Sequence, residues 1–136
     1  MIKFVIRAKK NPLNRTQIKF YPQMAPGVPV MLRTILGRIE KRSGVSFASV
    51  KAVLDALQYE ILQTLADGNS VRLGDLGSFH LTMHGEGAST AKEAKEKGAD
   101  LIKRVSVRFT KSSAMRLALD KHNLTFGAQE DIQNVK

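Results

Sequence analysis

Apolar and polar residues alternate over the first nine positions, with Ile2, Phe4, Ile6 and Ala8 interleaving Lys3, Arg7 and Lys9. That period of two marks a half-buried strand. Asn11-Pro12-Leu13-Asn14 is a turn signal. Ile18 and Phe20 set against Lys19 then predict a second strand over 16–21. Pro22, Pro26, Gly27 and Pro29 interrupt regular structure, so residues 22–29 read as a linker behind a β-hairpin.

The period then changes. Leu32, Ile35, Leu36 and Ile39 fall on one face of a helix running from about Val30 to Ser43. Lys41 and Arg42 suit its last turn, and Gly44 is placed as a left-handed stop. Ser46 is a natural cap for a second helix over 47–66. Its stripe of Val50, Val53, Leu54, Leu57, Ile61, Leu62 and Leu65 is too wide for one neighbouring helix, so full burial requires a partner.

Strand character resumes at Val71. Gly74 and Gly77 bracket a tight turn in which Leu76 is expected to pack. Leu81 and Met83 continue the strand, alternating with His80, Thr82 and His84 until Gly85-Glu86-Gly87 stops it. Residues 89–97 pattern as a short exposed helix capped by Ser89 and ended by Gly98. Leu101 to Phe109 is a further strand, with Val105, Val107 and Phe109 on one face and Arg104, Ser106 and Arg108 on the other. Ser112 or Ser113 caps a last helix from 114 to about 122, with Met115, Ala118 and Leu119 as its buried side. Residues 127–136 have no periodicity and read as a flexible tail.

Charge changes this picture most. The formal net charge is +10 and is unevenly placed: residues 1–30 hold six basic side chains and no acid, and residues 101–126 hold six basic and one acidic. Two such blocks favour a polyanionic partner, nucleic acid first. The chain has no Cys, which excludes disulfides and thiolate metal sites and fits a reducing compartment. No run approaches the roughly 18 apolar residues of a membrane span, so a cytoplasmic protein is expected. His80 and His84 share a strand face without a third ligand, and neither a metal nor a cofactor is expected. Gly74-x-x-Gly77 has the form of a nucleic-acid clamp, but Asp75 within it would repel phosphate. No nucleophile–base pair, phosphate-binding loop or paired catalytic carboxylates stand out, which argues against an enzyme.

The order of elements over residues 31–119 resembles the HU and integration-host-factor group of bacterial DNA-bending proteins. Gly74-Asp-Leu-Gly-Ser-Phe79 is similar to that family's glycine-rich turn, and Ile39-Glu-Lys-Arg-Ser-Gly44 to its helical hairpin. Val107-Arg-Phe109 followed by Thr110-Lys-Ser112 is similar to the family's return strand. Phe79 and Phe109 stand 30 positions apart, about what the family's arm occupies. The resemblance implies an α+β, HU/IHF-like intertwined homodimer: a helical hairpin, a small antiparallel sheet and a short C-terminal helix, here with an extra N-terminal hairpin. Residues 1–29 would be a basic extension, 30–126 the DNA-binding domain and 127–136 the tail. Val53, Leu57, Ile61, Phe79 and Phe109 would lie in the dimer core.

The same resemblance implies a nucleoid-associated homodimer that binds double-stranded DNA without sequence preference. Lys103, Arg104, Arg108 and Lys111 would meet phosphates, followed by Arg116, Lys92, Lys95 and Lys97, and by Lys3, Arg7, Lys9 and Lys10 on the hairpin. Family arms end in an Arg-Asn-Pro-x-Thr-Gly tip that wedges proline between base pairs. The corresponding stretch, roughly Ser89 to Lys95, holds neither proline nor arginine, so reduced or absent intercalation is expected there. N-terminally extended, arm-altered relatives of this kind occur in the Bacteroidetes group. The alternatives are a dimeric protein-interaction module with a partner at the N-terminal hairpin, and an RNA-binding variant.

Overall fold

Two β-ribbons and a helical hairpin dominate the computed structural model, which describes residues 1–130. The chain falls into two units: residues 1–30 together with those from Leu117 onward, and Met31–Arg116.

In the first unit, β1 (Ile2–Asn11) pairs antiparallel with β2 (Asn14–Met24). β2 runs three residues further than expected and carries Pro22 opposite Ile6. Proline has no N–H, but β2 is an edge strand, and an edge slot that gives no ladder bond tolerates it. The turn closes through Pro12 and Leu13 between the paired Asn11 and Asn14. Neither Pro12 nor Leu13 has positive φ, so the turn is of the type I kind with proline at its favoured position. A bulge between Lys10 and Asn11 accommodates the strand twist that such a turn does not match.

Residues expected in the tail complete this sheet. β6 (Phe126–Ala128) pairs in parallel with Ile2–Phe4, and Gln129 N–H donates to the Phe4 carbonyl at 2.9 Å. Composition gave no sign of it because three residues cannot show a period. Residues 131–136 lie outside the described residues. Val5 and Ala25 are buried at the base of the ribbon, and Ala25 N–H bonds the Lys3 carbonyl.

The second unit opens with α1 (Leu32–Ser43), ended by Gly44 at φ 72°. α2 (Phe47–Ala66) follows, its first turn capped by Ser46 Oγ accepting from Ser49 N–H at 3.2 Å. β3 (Val71–Arg72), β4 (Gly77–Gly85) and β5 (Ile102–Lys111) form an antiparallel sheet in that order. At the turn between β3 and β4, Gly77 has φ 154° and lies against β5. A Cβ there would collide with the Thr110 carbonyl oxygen and come within 2.7 Å of the Phe109 ring. Leu76, expected to pack, is 56% exposed. The turn is held by its backbone instead: Ser112 N–H donates to the Leu76 carbonyl and Ser112 Oγ to that of Asp75.

Between β4 and β5 stands α3 (Ala91–Lys97), then a 3-10 turn over Gly98–Leu101. Its cap is Thr90, one residue later than expected, accepting from Glu93 N–H at 3.1 Å. α4 (Ser113–Ala118), capped by Ser112, is shorter than the sequence pattern implied. Asp120 caps a separate 3-10 turn at Lys121–Asn123. Ala118 and Leu119 are consequently exposed, and Met115 alone of the three expected contacts is half-buried.

Among the described residues only Leu36 and Leu65 are buried apolar side chains in the second unit. Val53, Leu57, Leu62, Val105, Val107 and Phe109 are all more than two-fifths exposed. A unit of this size with two buried side chains has not satisfied its apolar surface within one chain.

Candidate nucleic-acid interface

Residues directly opposite in an antiparallel pair share a face of the sheet. The register β3–β4–β5 pairs Val71 with Phe79 and Phe79 with Phe109, then Leu81 with Val107 and Met83 with Val105. These paired positions are all apolar, and the Phe79 and Phe109 rings meet at 5.1 Å between centroids, tilted by 53°.

The opposite face follows from the same register. Arg72 lies across from Ser78 and Ser78 from Thr110; His80 pairs with Arg108, Thr82 with Ser106, and His84 with Arg104. Three guanidiniums, two imidazoles and four hydroxyls thus share one surface with no carboxylate among them. Among the described residues no carboxylate pairs with Arg72, Arg104 or Arg108. Cations gathered without counter-charges repel one another, and an approaching polyanion relieves that repulsion. The hydroxyls add donors of the kind that commonly contact phosphate and sugar oxygens. Thr82 Oγ1, at the middle of the face, is buried without a hydrogen-bond partner.

Not every expected site residue joins this face. Lys103 and Lys111 fall, by alternation, on the side of the valines, and Lys103 is bound to Glu86 at 3.3 Å. Lys97 is held by Glu93 at 3.0 Å, one helical turn away. Lys92 and Lys95 are exposed on α3 and Arg116 is exposed on α4. Arg72, His80 and His84 stand on the same face and were not grouped with the arginines by the sequence reading. Arg72 sits on a two-residue strand with no period of its own, and the histidines acquire meaning only once the register sets them against Arg104 and Arg108.

On the first unit, Lys3, Arg7 and Lys9 share one face of β1, with Lys10 on the other. Lys9 lies directly opposite Lys19, and Arg7 opposite Tyr21. Lys9 Nζ stands 5.9 Å from the centre of the Tyr21 ring. Lys9, Lys10, Asn11, Pro12, Lys19 and Tyr21 line an open cleft of about 500 Å³. No helix of the described residues is long and apolar enough to cross a membrane, and none of their His, Asp and Glu side chains gather in threes that could hold a metal.

A helical hairpin followed by a three-stranded antiparallel sheet, with the sheet's long ribbon returning to a short helix, defines an α+β HU-like fold. The chain belongs to the HU-HIG family, described as an HU domain fused to a wHTH, Ig or glycine-rich motif, whose model matches residues 1–125. It is similar in structure to a putative DNA-binding protein from Bacteroides vulgatus, with a TM-score of 0.65 and 18% identity. That likeness covers 93% of this chain and 47% of the Bacteroides chain. It is similar also to an HU mutant from Thermotoga maritima (TM-score 0.50, 20% identity, 67% of this chain and 100% of the other). An Anabaena HU crystallised with DNA matches with a TM-score of 0.50 and 16% identity over 67% of this chain and 99% of its own. At such identities these likenesses establish the fold. Among curated proteins none matches.

Proposed function

We propose that the chain is a nucleoid-associated, cytoplasmic homodimer that binds double-stranded DNA without sequence preference, through phosphate contacts. The acid-free face of Arg72, His80, His84, Arg104 and Arg108 carries this reading. It presents charge and hydroxyls, which attract a phosphate backbone whatever the sequence. Its relatives add support: one was crystallised with DNA and another is described as DNA-binding.

Self-association rests on the unsatisfied apolar surface of the second unit. The groove between α1 and α2, lined by Leu32, Ile35, Ile39, Val53, Leu54 and Leu57, is open in the single chain. So is the valine face of β5. A second copy would cover both, with Val53, Leu57, Ile61, Phe79 and Phe109 at the centre of a shared core. Lys92, Lys95 and Arg116 then serve as peripheral phosphate contacts, and the hairpin cations Lys3, Arg7, Lys9 and Lys10 as a second basic surface. At the position of the family arm, α3 offers no apolar side chain larger than alanine, so no wedge acts from that site.

Fluorescence anisotropy of a mixed-sequence duplex against salt tests this reading. Neutralising Z phosphates gives a slope of log K on log salt of about −0.9Z. A steep linear fall is expected; absence of binding even at low salt would sink it. A protein-interaction module is then the remaining reading. The cleft of about 580 Å³ on the first unit, lined by Ile2, Phe4, Ile6, Pro22, Met24, Lys121 and Phe126, favours it. Preference for single-stranded RNA over the duplex in the same titration marks the RNA variant.

A further inference from the structure

The hairpin β1–β2 ends in two exposed apolar residues. Pro12 and Leu13 form its two-residue loop, and Leu13 is 95% exposed. Proline is ordinary at the first position of such a loop, but the second ordinarily takes Asn, Gly, Asp or Ser rather than leucine. A lone exposed leucine carries no meaning by itself. Here its flanks do. Lys9, Lys10, Arg15 and Lys19 surround it, and the first thirty residues contain no acid.

The loop is also held in shape. Leu13 N–H donates to Asn11 Oδ1 at 3.0 Å, and Thr16 N–H and Oγ1 both donate to Asn14 Oδ1, at 3.2 and 2.6 Å. Asn11 Nδ2 reaches Gln17 Oε1 across the ribbon at 3.2 Å. Proline fixes its own φ, so the apolar pair is presented in one conformation before any partner arrives. The opposite end is anchored by buried Val5 and Ala25 and by β6. Among the described residues β6 pairs only with Ile2–Phe4, so the seven residues from Val5 to Asn11 project as a two-stranded ribbon roughly 20 Å long.

We propose that this ribbon is a DNA wedge: Lys9, Lys10, Arg15 and Lys19 guide it along a groove, and Pro12 and Leu13 insert between two base pairs and kink the duplex. Inserted apolar side chains of this kind unstack a base step from the minor groove and bend the helix toward the major groove. The insertion removes Leu13 from water, which offsets the unstacking. Deformable pyrimidine–purine steps are the preferred targets, because they unstack most easily. The inference rests on duplex binding as proposed above, but assigns bending to a ribbon that lies outside the helical and sheet unit. The helix-topped β4–β5 ribbon binds and does not wedge.

The test uses the full chain and a duplex of about 30 base pairs with donor and acceptor dyes at its ends. Binding of the wild-type chain is expected to raise energy transfer. Leu13→Ser and Pro12→Ala/Leu13→Ser should bind with the same salt slope and an affinity within about tenfold, since burial of the wedge and unstacking roughly cancel. Both should lose the rise in energy transfer. The thermal melt of Leu13→Ser should match wild type, because that side chain is 95% exposed. Wild-type binding without a change in energy transfer, or a Leu13→Ser chain that bends like wild type, overturns the wedge and leaves duplex binding standing. Absence of duplex binding by the wild-type chain overturns both.

Discussion

The chain builds two antiparallel ribbons and finishes them in opposite ways. β4–β5 is capped by α3, whose lysines are partly neutralised by neighbouring carboxylates: Lys97 by Glu93, and Lys103 at its foot by Glu86. β1–β2 is left bare, with Pro12 and Leu13 at the tip and no acid along its length. The bases differ too. The feet of β4–β5 are Phe79 and Phe109 in ring contact beside a glycine with no room for a Cβ, whereas β1–β2 rests on Val5, Ala25 and a three-residue parallel strand. A ribbon with its bulk at the foot and a neutralised top can support a binding face. A ribbon with its cations along the shaft and apolar residues at the tip can penetrate.

The comparison breaks most readily at Phe109. In one chain Phe109 is 47% exposed, and truncation of a half-exposed ring would cost about 1–2 kcal/mol. Covered by a second copy, Phe109→Ala should cost about 3–5 kcal/mol, and the melting temperatures of wild type and variant alike should depend on protein concentration. Denaturant titration at two concentrations separates the cases. Next is Gly77→Ala, which should destabilise by about 3 kcal/mol through the clash with β5 and a φ that alanine resists. Leu13→Ser on the other ribbon should change the same melt by less than about 0.5 kcal/mol. The smallest effect belongs to Glu86→Gln and Glu93→Gln. Releasing Lys103 and Lys97 should strengthen duplex binding by about two- to threefold in the anisotropy titration, because exposed ion pairs are weak.

Much of this contrast could be read from the residues. The period-two alternation of residues 2–8, the i, i+3, i+4 spacing of Leu32 to Ile39 and the caps at Ser46 and Gly44 are local signals, and the elements they predict are present. Apart from the one-residue shift of the α3 cap to Thr90, the failures are non-local. β6 is too short to have a pattern and exists because β1 offers it an edge. Pro22 looked like a strand breaker, and only its place on an edge makes it tolerable. The helix expected to reach His122 stops at Ala118, where no apolar partner holds the next turn. The site was half visible: Arg104 and Arg108 announced themselves by alternation. Arg72, His80 and His84 joined them only through register, and the proposed wedge was suggested only by the exposure of Leu13.

Duplex binding by the sheet face is measured most directly by comparing wild type with the triple variant Arg72→Gln/Arg104→Gln/Arg108→Gln in anisotropy titrations across salt. If that face meets the phosphates, the slope of log K on log salt should fall in magnitude by about 2.7 for each protomer engaged, with the fold intact by circular dichroism. An unchanged slope and affinity would contradict it and place the DNA, if bound at all, elsewhere on the chain.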